Sequence, residues 1–515
     1  MDAILPGLEL LLQPISLLWL VVGLVLGFVV GILPGLSSSN TTALLLPLVV
    51  MLPTEAGLIL IVSIYAGAQF GGAVPGILLN LPGEAGAAVT ALDGYPMTQQ
   101  GRGGEAIGIA RMASAFGGVL AGVIVLLLLA PIGALALSFG AREMTIVVIM
   151  GLLVSSALIG KSVRKGLLSG LLGLVLATVG AAPATGQPRF TAGLFELFDG
   201  ISFIAALIGL FAVSELLVTV RDRDLSKPAL PPRLSFRDEL VGVVKGVRQT
   251  FTHWRIAIQS TFVGLLFGVI PGGGTAVSNF LSYSLAKRQS KTPEKFGKGF
   301  PGGVVASEAT DNAVTAAAMA PTLTLGIPGS ATGAVVLAAL YIQGIQPGPQ
   351  IMQTHGAEAY AVILALILAS LLIVPFGVLL ATPLTWVIRV PVAYLTPVVL
   401  MICLAGSFAE SKLVFDIGVA LVFGVIGYAF RIADYPVIPI VLGLVLGPLL
   451  ERNLLRALNL GDYQLAYFFG SPVAIVLWCL LLVLGAYLFW RPRRSRGSKP
   501  AAAEKAGAEK TGESA

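Results

Sequence analysis

The chain has almost none of the residues that build metal, redox or hydrolytic chemistry. Its 515 residues include two cysteines and two histidines. Cys403 and Cys479 both lie in apolar runs, which argues against a disulfide framework and against a thiolate metal site. His253 and His355 are too few for a His-rich metal centre. The sequence contains no His-Glu-x-x-His pair and no Gly-x-Ser-x-Gly elbow. Gly160-Lys161-Ser162 resembles the end of a phosphate loop, but Ser155 stands where that loop's first glycine belongs, and the surroundings are apolar. These absences argue against ATP hydrolysis and against an enzyme. Charge is scarce too: 11% of residues are charged, where a soluble domain carries about 25%. The net charge of +6 sits largely in loops and tail, so it reads as topology information rather than as a nucleic-acid surface.

Hydrocarbon takes the place of charge. Hydrophobic residues make up 56% of the chain, and the mean hydropathy is +0.92. Long apolar runs fall near 15–33, 119–139, 145–160, 166–180, 201–220, 256–270, 359–380, 391–404, 413–428, 437–450 and 468–490. Several reach the roughly 20 residues that span about 30 Å of hydrocarbon; others are short enough to be tilted, kinked or re-entrant. The expectation is an all-α polytopic membrane protein with about 10–12 membrane segments. The N-terminus lacks the basic region of a secretory signal peptide, so the first apolar stretch is expected to remain in the membrane. Residues 221–255 are rich in Arg and Lys and read as a cytoplasmic linker, with 236–251 as an interfacial amphipathic helix. The tail, 491–515, begins Arg-Pro-Arg-Arg and is expected to be disordered and cytoplasmic.

One pattern occurs twice. Pro75-Gly-Ile-Leu-Leu-Asn80-Leu-Pro82-Gly83 returns as Pro321-Thr-Leu-Thr-Leu-Gly-Ile-Pro328-Gly329, at an offset of 328 − 82 = 246 residues. Gly31-Ile-Leu-Pro34-Gly35 returns as Gly268-Val-Ile-Pro271-Gly272, at 271 − 34 = 237. Two matches in one order indicate a duplicated chain: repeat 1 over 1–220 and repeat 2 with C-terminal helices over 256–490. The loop after the second Pro271-Gly272 copy carries Lys287, Arg288, Lys291, Lys295 and Lys298, whereas its counterpart at 53–57 has no basic residue. Conversely, Lys161, Arg164 and Lys165 mark a basic loop in the first half. Equivalent loops then lie on opposite membrane sides, which makes the repeats inverted.

Pro and Gly break helices, and in hydrocarbon each freed backbone group costs several kcal/mol unless protein or water satisfies it. The breaks must therefore be packed inside protein or face a cavity. Half-helix N-termini at such breaks suit a carboxylate, and exposed carbonyls suit Na⁺. Ser38, Asn40, Thr275 and Ser330 belong to a polar set around the breaks, so they are candidate cavity residues. Small polar residues also cap helix ends and join membrane helices, which is the commoner role for any single one. Glu308 and Asp311, with Asn312, precede the last break in small, apolar sequence; such carboxylates fit cation or proton coupling, unless the stretch is a surface loop. Asp93, in Asp-Gly-Tyr-Pro, reads as a turn residue. The Gly-x-x-x-Gly spacing at 23, 27 and 31 carries little weight among 62 glycines.

The motifs Gly31-Ile-Leu-Pro-Gly-Leu, Tyr65-Ala-Gly-Ala-Gln-Phe-Gly-Gly, Ile77-Leu-Leu-Asn-Leu-Pro-Gly, Thr90-Ala-Leu-Asp-Gly-Tyr-Pro-Met and Leu325-Gly-Ile-Pro-Gly-Ser together resemble the TctA family. These are the large membrane subunits of tripartite tricarboxylate transporters. The resemblance covers nearly the whole chain apart from the tail. It implies a bacterial inner-membrane carrier of elevator-like design. The implied partners are a periplasmic solute-binding protein and a small four-helix-type membrane subunit. The implied activity is uptake of citrate or another di- or tricarboxylate, driven by Na⁺ or H⁺. Its implied substrate residues are Gly35, Asn80, Pro82, Gly83, Gly272, Pro328 and Gly329. The family's Glu-x-x-Asn-Asn-Ala element reads Glu308-Ala-Thr-Asp311-Asn312-Ala here, a departure that bears on substrate or coupling ion. A TRAP-type carrier subunit and a passive organic-anion channel are the alternatives.

Overall fold

The structure is a computed structural model that describes residues 3–32, 37–80, 83–84, 86–158, 162–221, 236–270, 274–387, 400–401, 404–408 and 412–490. The expectations for most of the 221–235 stretch and for the tail lie outside the described residues. The first half runs α1 (Ile4–Leu12), α2 (Pro14–Gly31), α3 (Ser38–Val50), α4 (Thr54–Gly71), α5 (Ala73–Leu79), α6 (Ala87–Gln99) and α7 (Gly103–Leu137). The second half repeats this order: α12 (Phe236–Thr252), α13 (Trp254–Val269), α14 (Thr275–Gln289), α15 (Pro301–Ala317), α16 (Met319–Thr324), α17 (Ala331–Ile342), then the short α18 (Ile351–Thr354) and the long α19 (Gly356–Val387). Between the halves lie α8 (Ala141–Leu158), α9 (Val163–Leu176), α10 (Phe203–Ile208) and α11 (Ser214–Arg221). A two-stranded ribbon pairs Gly180 with Arg189. The described chain ends in α20 (Val414–Ile432), α21 (Ile438–Leu460) and α22 (Pro472–Trp490).

Among the described residues, six helical stretches are long and apolar enough to cross a membrane, and four shorter apolar helices accompany them. Together they reach the low end of the expected range. The protein is thus an all-α polytopic membrane protein. One span is missing from the apolar runs: Thr54–Leu79, of which 94% of the span window is buried inside the protein. It is a core helix wrapped by protein, and its Gly, Ala and Ser residues let neighbouring helices approach.

The close approach of helices is made by glycine, and it follows the same register in both halves. A Cβ on Gly27 would lie 2.5 Å from Ile64 O, and one on Gly31 would lie 2.6 Å from Ala68 O. On α13, a Cβ on Gly264 would lie 2.6 Å from Thr310 O, and one on Gly268 would lie 2.8 Å from Val314 O. The glycines are 237 residues apart and the carbonyls 246, the two offsets read from the Pro-Gly motifs. The break residues obey the same rule: Gly83 packs on Gly31 O, and Gly329 packs on Gly268 O. The Gly-x-x-x-Gly spacing is therefore a tight seam between α2 and α4, more than the sequence alone warranted.

The outer helices swap between halves. α1 packs on α19 and α12 on α7, so the first helix of each half lies against the long helix of the other half. A second packing group holds α8, α9, α21 and α22 together and sets α10 and α11 against α20. It meets the first group chiefly through α3 and α17. A side chain on either seam glycine would drive Cβ into a carbonyl. Gly27→Val and Gly264→Val are each expected to lower the melting temperature and the monodisperse yield, at a cost of about 1–3 kcal/mol. Gly418→Ala, with nothing within 4 Å of the new Cβ, should behave as wild type. Wild-type melting of Gly27→Val in size-exclusion and thermal assays would contradict the tight seam.

Candidate functional site

Four helices begin just after the Pro-Gly breaks: α3, α6, α14 and α17. Ser37 caps α3 by accepting from Asn40 N at 3.3 Å, and Ser330 caps α17 by accepting from Gly333 N at 2.9 Å. These N-termini meet in pairs drawn from opposite halves. Ser38 and Ser39 on α3 each lie 3.0 Å, hydroxyl to hydroxyl, from Thr332 on α17. A Cβ on Gly86, at the start of α6, would lie 3.2 Å from Thr275 Cβ on α14. The two pairs correspond by the same offsets, since Thr275 is Ser38 + 237 and Thr332 is Gly86 + 246. Each pair brings together the N-terminal amides of two helices, one from each half.

The carboxylates sit beside this crossing on α15, which is a buried helix and not a surface loop. Glu308 and Asp311 are 1% and 3% exposed. Thr90 Oγ1 of α6 donates to Glu308 Oε1 at 2.5 Å, and Ser114 Oγ of α7 donates to Oε2 at 2.7 Å. Gln69 Nε2 of α4 donates to Asp311 Oδ2 at 2.8 Å, and Asn279 Nδ2 of α14 donates to Oδ1 at 2.9 Å. Each carboxylate is therefore held by neutral donors, and neither forms an ion pair with Lys or Arg among the described residues. A side chain at Gly86 would strike Asp311 Oδ1 and Asn279 Nδ2, so glycine there leaves room for the carboxylate. Asn279 Oδ1 and both amide atoms of Asn312 are buried without a hydrogen-bond partner among the described residues. Asn312 stands apart from Asp311: its Cβ lies 3.4 Å from where a Cβ on Gly118 of α7 would be.

The other sequence candidates divide. Gly35, Pro82 and Gly272 lie outside the described residues. Ser38, Thr275, Ser330, Pro328, Gly83 and Gly329 lie at or next to the starts of these helices or the breaks before them. Ser330 Oγ also lies 3.0 Å from Tyr65 Oη. Asn80 is the left-handed C-cap of α5, with φ 58°, a conformation Asn tolerates well, and its side chain is exposed. Asn40 turns to the second packing group, where its Nδ2 donates to Glu215 Oε2 at 3.3 Å beside Arg431 Nη1 at 2.5 Å. Two residues escaped the sequence reading. Ser114 is one of few polar residues on the apolar α7. Glu84 directly follows Pro82-Gly83, and its carboxylate accepts from Ser38 N, so a carboxylate already occupies the amide at the start of α3.

Asp93 is a correction. It is not a turn residue: it lies inside α6, fully buried. Its Oδ1 accepts from Gly297 N, Gly299 N and Phe300 N at 2.8, 2.9 and 2.8 Å, and Tyr283 Oη donates to Oδ2 at 2.8 Å. One carboxylate thus pins α6 of the first half to the α14–α15 loop of the second. Asp-Gly-Tyr-Pro has turn composition, but tertiary contacts override it.

A buried acidic pair beside the starts of four helices, inside a polytopic helical protein, is a functional-site candidate of the kind membrane carriers use. The chain belongs to the tripartite tricarboxylate transporter TctA family: residues 17–442 match it. That match favours TctA over the TRAP-type alternative. The chain is similar to an "Uncharacterized 52.8 kDa protein in TAR-I ttuC' 3'region" of Agrobacterium vitis, with 36% identity over 478 residues, covering 91% of this chain and 92% of that relative. It is also similar to an "Uncharacterized protein in TAR-II ttuC' 3'region" of the same organism, with 35% identity over 221 residues, or 43% of this chain and 91% of that relative. No solved structure matches.

Replacing Asp93 by Asn removes the charge that four donors share. Asp93→Asn is expected to lose about 2–4 kcal/mol of stability, read as a lower melting temperature in detergent. An unchanged melt would remove the clamp from this account.

Proposed function

We propose that this chain is the large membrane subunit of a binding-protein-dependent carrier that imports a di- or tricarboxylate, citrate among them, by symport with Na⁺ or H⁺. The observation that carries the reading is the pair of buried carboxylates, Glu308 and Asp311, held only by neutral donors. Two buried anions without a basic partner are strongly unfavourable in a dry interior unless a cation or proton joins them. The substrate carboxylates go to the amide ends of α3, α6, α14 and α17, where helix dipoles favour anions. The coupling cation goes to Glu308 and Asp311 one layer away, with Asn312 on the α7 side. Glu84 acts as a resident carboxylate that leaves the α3 amide when substrate arrives.

The repeats, 1–220 and 256–490, are inverted in this reading, and the helices that precede α2 and α13 support it. α1 carries Glu9 and no basic residue, while the α12 segment carries Arg237, Lys245 and Arg248, the asymmetry expected of outer and inner faces. The chain lies in the bacterial inner membrane with its C-terminus in the cytoplasm. It works with a periplasmic solute-binding protein and a small membrane subunit. The narrow meeting of the two packing groups at α3 and α17 supports elevator-like movement of one group past the other.

Proteoliposomes holding the complete three-part system test the coupling. Asp311→Asn and Glu308→Gln are expected to change the Na⁺ or pH dependence of uptake at least about tenfold, the effect of about 1.4 kcal/mol, with the order of substrate preference kept. Unchanged cation dependence in both variants sinks the assignment. The inversion has its own test in a background with Cys403 and Cys479 replaced by Ser. Glu9→Cys should react with an impermeant thiol reagent from the periplasm, and Lys245→Cys only after the membrane is opened. Labelling of both from one side contradicts inverted repeats.

A further inference from the structure

At the basic end of the protein, outside the acidic centre, lies a cavity of about 510 Å³ lined by residues of three elements. The α6–α7 connection gives Gln100 and Arg102, the α12–α13 joint gives Gln249 and His253, and the α14–α15 loop gives Glu294, Lys295, Lys298 and Phe300. The volume falls within the range of small-ligand pockets. Arg102 is engaged by Glu105 at 2.8 Å, and Gln100 holds the loop by donating to Lys298 O at 2.9 Å. Lys295 and Lys298 are exposed and form no ion pair among the described residues. Two ammonium groups therefore stand in an open pocket with a single carboxylate, Glu294, among the lining side chains.

The corresponding corner of the first half lacks this chemistry. The α1–α2 joint, the α3–α4 loop at 51–53 and the α17–α19 connection at 343–355 contain no Lys or Arg. Duplication built both corners, and only one became basic. The helix at the pocket's edge also has an exposed apolar side. α12 buries its glycine side, with Gly242 and Gly246 against Gly104 and Gly108 of α7. Its outer side keeps Leu240, Val241 and Val244 exposed. On either side of His253, Phe251 and Trp254 are 59% and 50% exposed. Exposed aromatic and aliphatic groups beside free cations are the signature of a helix in the headgroup layer.

We propose that this pocket seats the phosphate head group of an anionic phospholipid, with Lys295 and Lys298 as its counter-charges. The acyl chains leave along Phe251 and Trp254. A bound lipid would join α12, α6 and the α14–α15 loop, the same loop that Asp93 clamps from within. The charge and the neighbouring hydrocarbon together favour a lipid over a free anion, since a soluble phosphate gains nothing from the exposed apolar face.

The test uses the purified full-length protein in neutral detergent, with thermal melting and native mass spectrometry as readouts. Phosphatidylglycerol should raise the melting temperature of the wild type, and phosphatidylcholine should not. In Lys295→Gln/Lys298→Gln the apparent phosphatidylglycerol affinity should fall about tenfold or more, with an unchanged melt in phosphatidylcholine showing that the protein is folded. The single variant Lys298→Gln should fall between the two. Equal stabilisation of wild type and double variant overturns the proposal. So does an equal shift from inorganic phosphate alone, which would make the pocket a soluble-anion site.

Discussion

Everything in this fold rests on how closely α2 approaches α4 and α13 approaches α15. Gly27, Gly31, Gly264 and Gly268 let carbonyl oxygens come to van der Waals distance of the partner backbone. At that spacing the helix that follows each break can start inside the protein. Gly83 and Gly329 then close on the carbonyls of Gly31 and Gly268, so backbone that hydrocarbon could not tolerate is packed against backbone. A larger residue at any of these points would push the seam apart and move the four helix starts with it.

The second constraint is electrostatic. α15 brings Glu308 and Asp311 into the interior, and α4, α6, α7 and α14 each supply one neutral donor. Both halves are therefore represented around one acidic pair. By the 246-residue offset, Asp311 corresponds to Tyr65 and Glu308 to Val62, so the duplication is broken where charge matters. The break in symmetry gives the site a direction: the carboxylates belong to the second half only. A cation bound there would strengthen contacts between α15 and the first half. That is how occupancy could bias which of two arrangements the helices prefer.

Much of this was legible in the sequence because Pro and Gly leave strong local signals. The two offsets, 237 and 246, read from Pro-Gly motifs, recur in the glycine–carbonyl contacts of the two halves, although the Gly-x-x-x-Gly spacing itself carried little weight in the sequence. Glu308 and Asp311 stood out because carboxylates are rare in apolar sequence. The failures have physical causes. α4 escaped although its run 58–64 is largely apolar, because Gly and Ala bound that run on both sides. Asp93 was misread because turn composition is local, whereas its donors come from a loop about 200 residues away. Ser114 was invisible because a single Ser on an apolar helix usually bonds its own backbone. Glu84 carries no local signal, because its partner Ser38 N is 46 residues away in the chain. Asn40 and Asn80 have the polarity expected of a cavity, and Asn40 bonds Glu215 while Asn80 caps α5. No sequence pattern separates those roles from ligand binding.

The central claim is that the Glu308–Asp311 pair changes its occupancy with the coupling cation. Infrared difference spectroscopy of the purified protein reads this directly, through the carboxyl and carboxylate stretching bands as Na⁺ is added or pH is raised. The account predicts a saturable band change that is lost in Asp311→Asn and persists when the exposed Glu294 is replaced by Gln. Bands that ignore Na⁺ and pH across the range in which transport responds would contradict it, as would a change that survives removal of both buried carboxylates.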